Sequence, residues 1–215
     1  MARRTKEDAQ RTREQLIDAA EIVFHREGVA QTSLNEIAQQ ANLTRGAFYW
    51  HFKNKQSIFK AMLDRQAVEL GQLGMVMEAS SESDPLARLR ESILYVVREL
   101  ERDPRRRRVY EIVFQKCEMT EQNEPIGTLL RDNVLISSDR IRAAFNEAIA
   151  TKLMPANLDV DSAITHLHVQ ITGVVYLWLL LPDKFDLQSQ ATRLIDLFFD
   201  QLPQHFLSDA GEHLD

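Results

Sequence analysis

Cysteine, glycine and proline are all scarce in this 215-residue chain, which holds one, seven and six of them. The lone Cys117 excludes an internal disulfide and the opening MARRTKEDAQ has no apolar leader, so the sequence reads as a cytoplasmic protein. Long hydrophobic runs are missing too. The longest, Val169 to Leu181, spans about thirteen residues, contains Gln170 and Thr172, and stops at Pro182, which is short for a bilayer and suits a buried helix. With so few chain breakers, and with apolar residues repeating at intervals of three and four, no strand pattern competes and the chain reads as all-α.

A hydrophobic share of 44% and a charged share of 27% fit a soluble globular protein, and the length suits a small module joined to a larger one. The net charge of −6 argues superficially against a nucleic-acid partner, but its distribution is uneven. Residues 1–60 hold ten Lys/Arg against seven Asp/Glu; the remainder holds sixteen against 25. Arg3, Arg4, Lys6 and Arg11 precede the first apolar stripe, where a flexible arm can reach phosphates or a minor groove.

The first helix carries Leu16, Ala20, Val23 and Phe24 on one face and ends at Gly28, which tolerates the left-handed conformation after a helix. Ser33 and Glu36 form a capping box that opens a second, short helix to Ala41. After the turn Asn42-Leu43, Thr44 is a natural N-cap for a third helix running to about Phe52. A break at 53–55 precedes a long fourth segment over about 56–78, interrupted by Ser80–Pro85. Later helices are expected over Leu86–Leu100, around Val109–Phe114, and over 126–151, 161–181 and 188–202, separated by Asp103-Pro104, Pro155 and Pro182-Asp183. The domain boundary falls between 55 and 56, giving an N-terminal module of residues 1–55 and a larger domain of 56–215.

Two short helices joined by a tight turn, behind a longer one, have the dimensions of a helix-turn-helix that lays its second helix in a major groove. Phe48 and Phe52, four apart, face inward, while Arg45, Gly46, Ala47 and Tyr49 remain outside. Arg45 suits bidentate donation to a guanine edge, and Tyr49 and His51 suit phosphate contacts. Ser33, Thr44 and Lys55 stand at helix starts, where free amides and the positive dipole end favour a phosphate; for Ser33 and Thr44 simple capping is the competing role. Trp50, by its size, is expected to pack against the fourth helix.

The sequence resembles the TetR family of bacterial regulators, and within it the multidrug-efflux repressors of the AcrR and TtgR kind. The family likeness rests on Arg11-Thr12-Arg13, Ile17-Asp18-Ala19-Ala20, Gly28-Val29, Thr32-Ser33-Leu34, Glu36-Ile37-Ala38, the run Thr44 to Lys53, and Lys55. The subgroup likeness rests on Arg3-Arg4-Thr5-Lys6, Glu111-Ile112, Lys116-Cys117-Glu118, Leu181-Pro182-Asp183 and Phe185-Asp186-Leu187. The resemblance implies a homodimer with three helices for DNA and about six more for effector binding and dimerisation, a palindromic operator, a recognition helix at Thr44–His51, and Thr32 among the DNA contacts. Asn42 stands where glycine is common in the family, and asparagine tolerates positive φ well.

The remainder carries no catalytic constellation, metal site or cofactor motif. Cys117 reads as a buried structural thiol. His166 and His168 point about 200 degrees apart on a helix and do not share a metal. Arg105–Arg108 reads as a solvated face. Gln66, Val96, Tyr110, Phe114, Ile141, His168, Ile171, Thr172, Val175 and Tyr176, together with Met75 and Met77, mix aromatic, apolar and isolated polar groups. By themselves they fit ordinary core; the resemblance makes them candidates for a pocket for a hydrophobic effector. Leu167, Val174 and Trp178, with Leu194, Ile195, Phe198, Phe199 and Leu202, exceed what a small core requires and are expected to form a four-helix dimer interface. The expected function is a repressor of an efflux operon, released by ligand through the fourth helix. The alternatives are a sensor of an endogenous metabolite and, more remotely, a helical enzyme or small-molecule-binding protein.

Overall fold

The computed structural model describes residues 2–78 and 84–207, with side chains for 6–67, 84–121 and 123–207. Among these, nine α-helices account for the architecture: α1 Ala2–Glu27, α2 Leu34–Gln40, α3 Arg45–His51, α4 Lys55–Glu78, α5 Pro85–Arg102, α6 Pro104–Gln115, α7 Glu124–Ala150, α8 Val160–Leu180 and α9 Leu187–His205. A single 3-10 turn at Glu121–Asn123 precedes α7.

The boundaries follow local chemistry. Gly28 ends α1 at φ +81 and Asn42 makes the turn after α2 at φ +54, each conformation one that its residue type adopts at little cost. Both halves of the Ser33–Glu36 capping box form, and Thr44 accepts the amide of Ala47. Asp84, Asp159 and Asp186 cap α5, α8 and α9 in the same way. α1 begins at Ala2, so the basic residues from Arg3 to Arg11 lie on its first turns rather than on a flexible arm.

The chain divides into two compact units. The first comprises residues 1–71 and 104–132, the second 72–103 and 133–215, and α4 and α7 each contribute to both. Unit 1 is built around Leu16, Ile17, Val23, Phe24, Ile37, Phe48, Ile58, Phe59, Met62, Val109 and Ile112, all buried. α6 packs on α1 within this unit, and the amide of Val29 donates to the carbonyl of Lys116 at 2.8 Å. The three N-terminal helices therefore share their core with α4 and α6 and do not close a core alone.

Unit 2 centres on Ile141, Phe145, Ala148, Leu158, Ile164, Leu167, Phe198 and Leu202. α9 packs against α5 and α8. α8 is long and apolar enough to cross a membrane, which the shorter apolar run within it did not suggest, yet seven of its residues are buried within unit 2. Leu158 pairs with Leu207 in an isolated antiparallel bridge beside the start of α8.

Candidate nucleic-acid interface

α2 and α3 pack on each other, and α2 packs on α1. Phe48 and Phe52 turn into the unit 1 core, and this fixes what α3 shows outside. Arg45, Gly46, Tyr49 and Trp50 are exposed, and Ala47 and His51 are half-exposed. The Arg45 guanidinium donates to the Tyr49 hydroxyl at 3.2 Å and lies 5.4 Å from the Tyr49 ring centre. This hydrogen bond holds Arg45 above its ordinary pKa. The pair presents fixed donors on one outer face of the helix.

Trp50 corrects the expectation of a packing role. It is 73% exposed, with its ring edge-on to His51 at 4.5 Å, so a large amphipathic ring stands on the outer surface of α3. Burial, and then the charge of Arg13, hold His51 below the usual imidazole value, favouring the neutral ring. Arg13, from α1, lies 5.3 Å over the Phe52 ring. Arg13 and the exposed Lys53, both within the family motif, are further contact candidates that the sequence alone did not single out.

Two further contact candidates, Thr32 and Lys55, are positioned differently from expectation. Thr32 is buried, with its hydroxyl and amide both donated to the Gly28 carbonyl, so its role is to close the α1–α2 turn. Lys55 is half-buried, and its ammonium donates to the carbonyls of Val29 at 2.7 Å and Ala30 at 2.8 Å. Desolvation lowers its pKa, with Glu36 opposing. Lys55 thus ties the start of α4 to the α1–α2 turn. Ser33 and Thr44 are exposed caps, while Lys6 and Arg11 lie exposed on α1; the side chains of Arg3 and Arg4 fall outside the described residues.

The effector candidates divide between the units. In unit 1, Gln66 is buried, and among the described residues neither end of its amide has a hydrogen-bond partner. Tyr110 and Phe114 pair on α6 with rings 6.2 Å apart, and burial pushes the Tyr110 hydroxyl up, with Arg106 opposing. In unit 2, Ile141 and Val175 are buried; Val96 and Ile171 are half-buried. His168 sits at 3.0 Å from Ser138, and burial lowers its pKa. Thr172 and Tyr176 are exposed on α8 instead of lining the interior of unit 2. Met75 and Met77 have side chains outside the described set. A cavity of about 340 Å³ in unit 2, lined by residues including His166, Gln170, Gln201 and His205, contains none of the effector candidates.

The dimer candidates require correction. Leu167, Val174, Trp178, Ile195, Phe198 and Leu202 are buried within the protomer, and Leu194 and Phe199 are half-buried. The apolar groups that α8 and α9 leave outside are Val169, Tyr176, Leu177, Leu180 and Leu197, between 42% and 67% exposed. The arginine run is likewise structural rather than a solvated face: Arg106 is buried, Arg105 reaches Asp18 and Glu21, and Arg107 pairs with Glu111. Burial pushes the Cys117 thiol up, in keeping with an unreactive group.

Comparison with known proteins places these features in context. Residues 16–62 match the model of bacterial regulatory proteins of the tetR family, and residues 84–204 match that of the C-terminal region of MAATS-type transcriptional repressors. The HTH-type transcriptional regulator TtgR of Pseudomonas putida is 40% identical over 94% of this chain and 96% of its own. The crystal structure of NalD, the secondary repressor of the MexAB-OprM multidrug efflux pump in Pseudomonas aeruginosa, superposes with a TM-score of 0.79 at 32% identity, covering 93% of this chain and 99% of that one. A SmeT–triclosan complex, SmeT being the repressor of the Stenotrophomonas maltophilia efflux pump SmeDEF, superposes with a TM-score of 0.80 at 28% identity, covering 93% of each chain.

Proposed function

This chain belongs to the TetR family of bacterial transcriptional regulators, and from that premise we propose that it represses a multidrug-efflux operon and leaves its operator when a hydrophobic small molecule binds. The observation that carries the DNA half of this reading is the outer face of α3, where Arg45, Tyr49 and Trp50 stand together beyond the buried Phe48 and Phe52. Arg45 reads base edges; Tyr49, Trp50 and His51, with Arg13 and Lys53 beside them, hold the phosphate backbone. Gly46 and Ala47 let the helix approach the groove closely, and Ser33 and Thr44 offer capped helix starts to phosphates.

The effector half is supported by the buried amide of Gln66, which has no partner among the described residues. A buried donor and acceptor without partners is unfavourable in the free protein and is relieved by a ligand that supplies them. Tyr110 and Phe114 add an aromatic surface in the same unit. Relatives that repress efflux pumps, one of them solved with triclosan, make hydrophobic drugs the expected ligand class.

The protein acts as a two-fold dimer in this reading. Val169, Gly173, Tyr176, Leu177 and Leu180 recur along one side of α8, and a second copy covers that stripe isologously. The operator is then a rough palindrome, its half-sites one helical turn or a multiple apart. Effector and DNA weaken each other by the same factor, because each favours a different spacing of the two reading helices. The test is selection of genomic fragments on the protein, with and without triclosan. Recovery of one palindromic site beside transporter genes, lost with the drug, is the expected result; fragments without a common site would overturn the reading.

A further inference from the structure

Glu21 is a carboxylate on α1 that is only 1% exposed, and its two oxygens are held by different helices. Oε1 accepts from the Arg65 guanidinium of α4, and Oε2 lies 3.4 Å from Nε of Arg105 on α6. The same two arginines reach Asp18, one turn earlier on α1, at 2.9 and 3.7 Å, and Arg65 also donates to Glu14 at 3.0 Å. Glu14, Asp18 and Glu21 are spaced four and three apart, so they form one stripe along α1.

The two arms differ. Arg65 is 12% exposed and sits at short distances from all three carboxylates; Arg105 is 36% exposed, and its contacts to Asp18 and Glu21 are longer. A sealed carboxylate oxygen cannot exchange its guanidinium for water, so α1 follows Arg105 in preference to releasing it. α1 in turn shares its core with α2 and α3, and so positions the reading helix.

From this geometry we infer that Arg105 is a positioning residue for operator binding, acting through Glu21 so that α6 is a second control of the reading head beside α4. The inference rests on the DNA-binding reading above and deepens it. Arg105 touches no DNA in this scheme; it sets where α1, and with it α3, sits.

The experiment uses the full-length protein and the duplex recovered from the genomic selection. Operator affinity, its dependence on salt, and thermal unfolding are measured for the wild type, Arg105→Met, Arg105→Lys, Glu21→Gln and the Arg105→Met/Glu21→Gln pair. The expected result is a roughly tenfold loss of operator affinity in Arg105→Met with an unchanged salt slope; its unfolding temperature falls as well, because the sealed Glu21 oxygen loses its guanidinium, so affinity is read at a temperature where every variant is folded. Arg105→Lys, which keeps the charge but not the guanidinium geometry, falls between. The double variant loses less than the product of the single effects. Arg105→Met and Arg105→Lys both within twofold of wild type would overturn the inference, because α6 then positions nothing through this contact. A salt slope reduced by about one overturns it differently, by making Arg105 a phosphate contact. A wild-type protein that binds no duplex in a salt-dependent way sinks the DNA reading itself, and the inference with it.

Discussion

Arg45 and Tyr49 stand one turn apart on α3, the guanidinium donating to the hydroxyl at 3.2 Å. The bond orders two long side chains before DNA arrives, which lowers the entropy lost on binding. Tyr49→Phe is therefore expected to weaken operator binding several-fold although the ring remains, and Arg45→Ala about tenfold or more with relaxed preference at one base pair. The Arg45→Ala/Tyr49→Phe pair should bind little worse than Arg45→Ala alone. Fluorescence anisotropy with a labelled duplex measures all three, and strictly multiplicative effects would show that the two residues act independently.

Lys53 and Lys55 are two residues apart but differ in role. The Lys55 ammonium is committed to the Val29 and Ala30 carbonyls, whereas Lys53 is exposed. Lys53→Met should reduce the slope of log affinity against log salt by about one. Lys55→Met should weaken binding with the slope unchanged and lower the unfolding temperature, because it loosens the α1–α2 turn. Slopes that fall equally for both would restore Lys55 as a phosphate contact.

Burial and then Arg13 hold the His51 pKa below its ordinary value, favouring the neutral ring. A neighbouring phosphate favours the imidazolium, so operator binding raises the pKa and takes up protons. Affinity should increase as pH falls from about 8 to 6, and His51→Gln should flatten that increase. Folding has the opposite dependence: the unfolded chain protonates first, so this residue's contribution to stability declines as pH falls below 6.5 toward the lower native value. Calorimetry in two buffers of different ionisation enthalpy reads the proton uptake directly.

Val169 and Leu167 are two residues apart on α8 and give opposite tests. Val169 is 67% exposed, so Val169→Glu should leave a folded monomer with much weakened operator binding, seen by light scattering. Leu167 is fully buried, and Leu167→Ala should destabilise unit 2 by about 3 kcal/mol in denaturant titration. A Val169→Glu protein that remains dimeric places the interface elsewhere.

Gln66→Leu replaces a buried amide that has no partner among the described residues with an apolar group of similar length. The ligand-free protein should gain about 1 kcal/mol, and the rise in unfolding temperature produced by triclosan should shrink. An unchanged triclosan response would remove Gln66 from the effector site.

Most helix boundaries, both caps of the reading unit and the Asn42 turn were legible in the sequence, because each depends on residues within about four positions of one another. Facing was legible only where the partner was local. Phe48 and Phe52 could be assigned inward because α3 is short, with one apolar side. For α8, apolar residues occupy most positions, so periodicity does not distinguish the side turned to the protomer core from the side left outside; α9 has one main apolar side, and the protomer core takes it. The dimer candidates were accordingly drawn from the inner side. The same limit applies to Thr32, Lys55 and Arg105, whose polar groups look like surface chemistry until the groups they meet are known.

The sequence by itself therefore determined the all-α class, the order and most ends of the helices, the helix-turn-helix and the family, since these are written in short-range capping, turn chemistry and a contiguous motif. Tertiary structure alone decided that α4 and α6 share a core with α1–α3, that Trp50 stands outside, and that Glu21 is held by arginines 44 and 84 positions away. Burial and ion pairing depend on which distant segments meet, and no local pattern encodes those partners.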